Sequence, residues 1–267
     1  MSKRPRSIHD LRTFKQRGER FVMVTAYDAL SAEILDEAGI PILLVGDSLG
    51  MVVMGHTSTV PVTMDDILHH TAAVRRGAPD ALVVADMPFG SFQVDMTDAR
   101  RNATRLLKEA GATAVKIEGG GPMIELVADL VRIGIPVMGH LGLTPQSVNQ
   151  FGGFKVQGRS DADADRIVHD IKGLEGAGAF SVVLECVPSD LGRRATEAVD
   201  IPTIGIGAGP DTGGQVLVLP DLLGMSGGRL PRFVKAYADG RSFVRDAVKS
   251  FQSEVAAGEY PGPEHQY

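Results

Sequence analysis

Five ionisable residues stand where short apolar runs end: Asp47 in Val45-Gly-Asp-Ser48, Asp86 after Ala85, Lys116 and Glu118 in Lys116-Ile-Glu118, and Glu185 after Leu184. If those runs are neighbouring strands, about 4.8 Å apart, Asp47 and Asp86 come within reach of one small cation. Carboxylates repel one another unless something positive lies between them. An all-oxygen donor set with no cysteine nearby suits a hard ion such as Mg²⁺, which takes one or two carboxylates and completes its octahedron with water and substrate. Glu118 is then a third or outer-sphere ligand. The competing reading has Asp47 and Asp86 capping the loops that follow, although acids on three consecutive strand ends favour the cation. An ion held there can chelate an α-keto acid and favour an enolate at the adjacent carbon. The proton must go to a base, and Glu185 is the candidate; otherwise Glu185 is a structural partner for Lys116 or His140. Lys116 either pairs with a substrate carboxylate or balances Glu118.

These roles require strands that share one end. Alternating β-branched runs and amphipathic stretches predict parallel strands flanked by helices. Strands are expected at 21–25, 42–46, 82–85, 113–118, 136–139, 181–185, 203–206 and 216–219, with helices over 29–38, 65–76, 98–110, 124–133, 163–177 and 190–198. Gly39, Gly77, Gly111, Gly134 and Gly178 read as helix stops, and Thr63 and Thr97 as N-caps. Eight strands in about 250 residues fit an α/β (β/α)₈ TIM barrel, whose reacting groups sit at the C-terminal strand ends. An additional N-terminal helix over 7–15 is placed as a floor plug, and helices after Pro231 and Gly240 close the chain. No composition shift marks a second domain. Residues 1–267 are therefore expected to form one domain, poorly ordered only from about residue 259.

Other residues leave two readings open. His140 either donates to substrate or is a satisfied core histidine, and the long segment 139–158 suits a lid or an interface. Gly205-Ile-Gly-Ala-Gly209 is either a phosphate cradle or a tight turn. His69 and His70 read as packing or surface residues, His56 as a loop residue with nothing to support a lid role, and Cys186, next to Glu185 and so facing away from the mouth, as a buried apolar filler rather than a nucleophile.

Composition narrows the class. The chain has 267 residues, 43% of them hydrophobic and 22% charged, enough for a self-sufficient core. With 27 Lys and Arg against 33 Asp and Glu, the net charge of −6 gives no basic footprint for nucleic acid. Apolar runs such as Ile42 to Val45 fall far short of the roughly 20 residues of a membrane span. The basic start, Lys3, Arg4 and Arg6, leads into polar residues rather than a signal-peptide core. A single cysteine excludes an internal disulfide and fits a reducing compartment. A cytoplasmic protein acting on small molecules is expected, with neither nucleic acid nor membrane as partner.

Five strings together resemble the ketopantoate hydroxymethyltransferase family: Val45-Gly-Asp-Ser-Leu-Gly-Met51, His70-Thr-Ala-Ala-Val-Arg-Arg-Gly77, Val115-Lys-Ile-Glu-Gly-Gly120, Gly139-His-Leu-Gly-Leu-Thr-Pro-Gln-Ser-Val-Asn149 and Ile204-Gly-Ile-Gly-Ala-Gly209. The likeness runs from about Ser7 to Gly262. It implies a (β/α)₈ enzyme of pantothenate synthesis that moves a hydroxymethyl unit from 5,10-methylenetetrahydrofolate to 3-methyl-2-oxobutanoate, forming 2-dehydropantoate. It further implies Mg²⁺ on Asp47 and Asp86 with Glu118 as the associated acid, keto-acid contacts at Asp47, Ser48, Asp86 and Lys116, and Glu185 as proton acceptor. A cytoplasmic homodecamer is part of the same implication. One departure is Gly214, where the family usually carries Asp. The alternatives are a Mg²⁺-dependent lyase or mutase of the phosphoenolpyruvate-mutase type, which would need a reactive cysteine, and a non-catalytic metabolite-binding barrel, which would not need the acids.

Overall fold

Runs rich in Val, Ile, Leu and other apolar residues favour strands covered on both faces. In a computed structural model that describes residues 7–228 and 230–267, eight such runs pair in parallel and in chain order. They are β1 (Phe21–Thr25), β2 (Ile42–Val45), β3 (Leu82–Asp86), β4 (Ala114–Glu118), β5 (Val137–Gly142), β6 (Ser181–Glu185), β7 (Thr203–Ile206) and β8 (Gly214–Leu217). Because β8 pairs back onto β1, the barrel is closed and has no free edge. This is the expected (β/α)₈ architecture. The basic start at Lys3, Arg4 and Arg6 lies outside the described residues.

The helices are α1 (Ile8–Gln16), α2 (Ala29–Glu37), α3 (Leu49–Val52), α4 (Met64–Gly77), α5 (Met96–Lys108), α6 (Met123–Arg132), α7 (Val148–Phe151), α8 (Asp161–Gly176), α9 (Ser189–Glu197), α10 (Leu219–Leu222) and α11 (Gly240–Ala257). The expected Thr63 cap is present, its hydroxyl accepting from Asp66 N while Asp66 reaches back. For α5 the cap is Asp95 rather than Thr97, because the Asp95 carboxylate accepts from both Thr97 N and Asp98 N. Gly39, Gly111, Gly134 and Gly178 adopt the left-handed stop conformation. Gly77 does not; it is the last residue of α4, where a Cβ would come within 2.0 Å of Ala29 O at the start of α2. Its glycine serves close approach instead of a turn. No helix follows Pro231, where residues 231–239 form turns and bends.

α1 fills the floor of the barrel, as anticipated. Its Leu11 is buried in one cluster with the inward residues of the lower strands, and Phe14 stacks on Phe21 with ring centroids 5.7 Å apart. Lys15 Nζ fastens the helix by donating to the carbonyls of Thr196, Val199 and Ile201 at 3.1, 2.6 and 2.9 Å. Contacts divide the chain into a unit to Val218 that contains the barrel and a second over residues 219–267. In the second unit Phe251 packs on Tyr260, and Tyr260 on His265.

Gly214, the departure from the family pattern, pairs with Phe21 across β1 and β8. A Cβ built at 214 would lie 2.5 to 2.8 Å from the Phe21 ring, so the small residue makes room for the large one. Gly214→Ala is expected to lower stability by about 1–3 kcal/mol through overpacking, and by clearly less in a Phe21→Ala background. Urea unfolding of the four proteins checks this; an equal penalty in both backgrounds would show that the ring is not what the methyl meets.

Candidate active site

Counting by two along the strands from the floor gives the inward face. Phe21, Met23, Ile42, Leu44, Leu82, Val84, Ala114, Met138, Val183, Ile204 and Val216 form the lower, wholly apolar part. One step further up the same face lie Asp86 after Val84, Lys116 and then Glu118 after Ala114, His140 after Met138, and Glu185 after Val183. Register sets them side by side. Asp86 is the Cα partner of Lys116, Glu118 of His140, and Gly142 of Glu185. β5 runs three residues beyond the expected end at Gly139, which carries His140 into the ladder and opposite Glu118. Asp47 arrives differently, as the second residue after β2.

Asp47, Asp86 and Glu118 each present a carboxylate oxygen within 4.8 Å of the others, and all three are buried. Lys116 Nζ stands 2.7 Å from Asp86 Oδ1 and 3.8 Å from Glu118 Oε1. His140 bridges outward, with Nδ1 3.4 Å from Glu118 Oε1 and Nε2 3.2 Å from Glu185 Oε2. Asp47 N donates to Asp86 Oδ2 at 3.2 Å. Ser48 lies next to this group with its Oγ 2.8 Å from Tyr27 Oη. All the predicted site residues therefore meet at one end of the barrel.

Burial and the adjacent Asp86 and Glu118 hold the Asp47 carboxyl well above the ordinary range for Asp. Asp86 is likewise raised by burial, with Lys116 opposing. For Glu118 burial is outweighed by His140 and Lys116, so its carboxyl is lowered. Burial and Lys116 push His140 down, but Glu118 and Glu185 overcome both, and the imidazole is pushed up to about 9. Burial also works against a charged Lys116, yet the three acids more than offset it and raise the ammonium. Three buried oxygen donors, whose mutual repulsion is offset only by Lys116 and His140, fit a hard divalent cation.

Residues 5–263 match the family described as ketopantoate hydroxymethyltransferase. A 3-methyl-2-oxobutanoate hydroxymethyltransferase of Thermobifida fusca is 57% identical over 261 residues, which is 98% of this chain and 93% of the relative. One of Moorella thermoacetica is 55% identical over 268 residues, covering both chains fully. The chain belongs to the ketopantoate hydroxymethyltransferase family. It is thus a transferase. Among solved structures it is similar in fold to a phosphonopyruvate hydrolase in complex with oxalate and Mg²⁺, with a TM-score of 0.63 at 13% identity, covering 97% of this chain and 90% of that one. A 2,3-dimethylmalate lyase of the PEP mutase/isocitrate lyase superfamily gives 0.60 at 16%, covering 97% and 93%. At that identity the likeness concerns the fold alone.

Within this member of the hydroxymethyltransferase family, the residue that sequence reasoning missed is Gln146. It lies on a short 3₁₀ turn over Pro145–Ser147, beyond β5, and reaches the acids with both its backbone and its side chain. Nothing in its surroundings in sequence has a period, so no pattern marked it. Gly205 lies in β7, and Gly207 and Gly209, both at positive φ, make the turn that follows it. A Cβ at Gly205 would meet Thr212 Oγ1 at 2.6 Å, one at Gly209 would meet Ser189, and no helix separates β7 from β8. His70 Nδ1 is bonded to Tyr27 O at 2.5 Å, a packing role as expected. Cys186 is half-buried, and burial followed by the Glu185 charge pushes its thiol up to about 12. Among the described residues no helix is long and apolar enough to cross a membrane.

The raised Asp47 carboxyl has a definite sign. A group raised on folding contributes stability that is present below its unfolded pKa and is lost as pH climbs through the folded value. A divalent cation must displace that proton. Mg²⁺ binding to the metal-free protein is therefore expected to release protons and to tighten as pH rises above the ordinary carboxylate range. Calorimetric titration in buffers of different ionisation heat measures both. Asp47→Asn should reduce the release, Asp86 still giving up its share, while keeping the metal-free fold within about 1 kcal/mol; a pH-independent affinity in the parent protein would contradict the assignment.

Proposed function

We propose that the chain transfers a hydroxymethyl unit from 5,10-methylenetetrahydrofolate to 3-methyl-2-oxobutanoate, yielding 2-dehydropantoate. The observation that carries this reading is the convergence of Asp47, Asp86 and Glu118 within 4.8 Å, beside a His140–Glu185 pair, in a chain of this family. Asp47 and Asp86 would hold Mg²⁺, with Glu118 beside them. Bound there, the ion supplies Lewis-acid withdrawal of electron density from the keto acid.

The protein's own groups do the rest. Lys116 and Ser48 face the keto acid together with Asp47 and Asp86, and the Lys116 ammonium balances its carboxylate. Glu185 takes the proton from C3. Its side chain is 16% exposed against 3% for Glu118, so it is the carboxylate that a substrate can approach. His140 Nε2 steadies one Glu185 oxygen at 3.2 Å. The resulting enolate carbon adds to the one-carbon unit in its iminium form, the C=N π pair returning to nitrogen; water oxygen then forms the carbon–oxygen bond as the remaining carbon–nitrogen bond breaks, and a proton from that water passes to the departing nitrogen. Tetrahydrofolate leaves. A mutase-type reaction through a thiolate is disfavoured, because Cys186 is the sole cysteine and its thiol is held protonated.

The same reading places the enzyme in the cytoplasm as a homodecamer. Val244, Val248, Phe251 and Val255, spaced along one face of α11, are exposed and offer apolar surface for assembly. Light scattering of the purified protein reads its mass directly.

The chemical test is hydrogen exchange. The protein should exchange the C3 proton of 3-methyl-2-oxobutanoate with D₂O when Mg²⁺ is present and stop when EDTA is added. Glu185→Gln should slow exchange by roughly 10²-fold or more. An unchanged rate removes Glu185 from the role of base, and turnover without divalent cation removes the ion.

A further inference from the structure

The acids at the barrel mouth are not held by the strands alone. Gln146 N donates to Glu118 Oε2 at 3.0 Å, and Gln146 Nε2 donates to Asp47 Oδ2 and to Met87 O, each at 2.9 Å. Two acceptors face the same terminal atom, so that atom must be the amide nitrogen. The amide oxygen then accepts from Gln93 Nε2 at 3.0 Å, and Gln93 Oε1 accepts from Gly90 N at 2.7 Å. The chain of bonds leaves the segment after β3 at Gly90 and returns to it at Met87. Gln146 is buried, and its amide is fully committed, with both N–H groups and its oxygen engaged.

This arrangement ties one oxygen of Asp47 and one of Glu118, from elements far apart in sequence, to a single residue. We propose that Gln146, braced by Gln93, is the positioning residue that sets the separation and orientation of Asp47 and Glu118 for a divalent cation and couples cation binding to the order of segment 87–93. The proposal rests on the reading that the acidic trio holds a cation. It adds that the site is closed by an amide clamp supplied by two loops. Outer partners of this kind fix which ligand oxygen faces the ion, and their loss typically weakens metal binding by about 10–100-fold.

The probe is Mn²⁺ added to metal-free protein, with unbound ion counted by electron paramagnetic resonance. Gln146→Met, similar in volume but without donors, is expected to weaken Mn²⁺ binding by roughly 10–100-fold, and Gln93→Met to shift it the same way by about the lower end of that range. In the parent protein Mg²⁺ should slow hydrogen exchange across residues 87–93. In Gln146→Met that slowing should vanish, an effect that mere loss of stability would not produce. Should Gln146→Met fail to fold, Gln93→Met carries the test, since Gln93 is exposed and its loss leaves the buried amide in place. Affinities within about twofold of the parent in the folded variants, or unchanged Mg²⁺-dependent protection of 87–93, would overturn the clamp. A parent that binds no Mn²⁺ would overturn it too. A parent that binds Mn²⁺ but fails to exchange or turn over the keto acid would defeat the proposed reaction and leave the clamp to be judged on binding.

Discussion

Three buried carboxylates held within 4.8 Å of one another are the constraint around which the mouth of this barrel is organised. At an effective dielectric of about 20, two unit charges 4 Å apart interact by about 4 kcal/mol. That is a large share of the 5–15 kcal/mol by which a domain is stable at all. Neighbouring groups must relieve it. Lys116 lies between Asp86 and Glu118, His140 between Glu118 and Glu185, and backbone N–H groups of Asp47 and Gln146 each take one oxygen. Burial, together with the repulsion that remains, appears as the raised carboxyls of Asp47 and Asp86. A site left strained in this way is poised for a small cation.

The strain is confined to one end because the barrel divides its interior by height. Two tiers of apolar side chains and the α1 plug below supply cohesion, while the topmost inward positions are free to carry charge. Closure matters here. In a parallel sheet with covered faces, a one-residue slip would turn Lys116 and Glu118 outward and bring Val115 and Ile117 in. The continuous pairing from β1 round to β8 fixes the register at every strand. The geometry of the acidic site and the packing of the floor are therefore set by the same ladder.

That is why so much of the site was legible beforehand. Asp86, Lys116, Glu118 and Glu185 each follow an apolar run at a spacing of two, so a reader who finds the strands finds their direction. Ser48 and Asp47 sit directly after a strand and needed no more than that. His140 was visible as a residue but not as a strand position, since Gly139 and Gly142 made the end of β5 look like a loop; the pairing of Leu141 with Leu184 and of Gly142 with Glu185 overrides that local signal. Gln146 was not legible at all. Its role depends on the loop after β5 folding back over the mouth and on a second loop, after β3, meeting it. Local capping chemistry misled in the same way at α5, where Asp95 outcompetes Thr97 because its two carboxylate oxygens can serve successive N–H groups from an extended backbone.

The fold by itself decides little, because barrels with 13–16% identity and different activities in their names superpose on this one. What separates chemistries on a shared scaffold is the set of groups that can move a proton. Here there is one cysteine, and it stands next to Glu185 with a thiol held protonated by burial and by that carboxylate. The acids differ among themselves as well. Asp86 and Glu118 are 1% and 3% exposed and are bound by fixed partners, whereas Glu185, at 16%, borders the open end of the barrel. A general base has to be reset after each turnover by giving its proton away, and a group sealed beneath its neighbours cannot do that at the required rate. The gradient of exposure along the inward face thus suits the proposed division of labour, in which the deep acids fix charge and the shallow one exchanges protons.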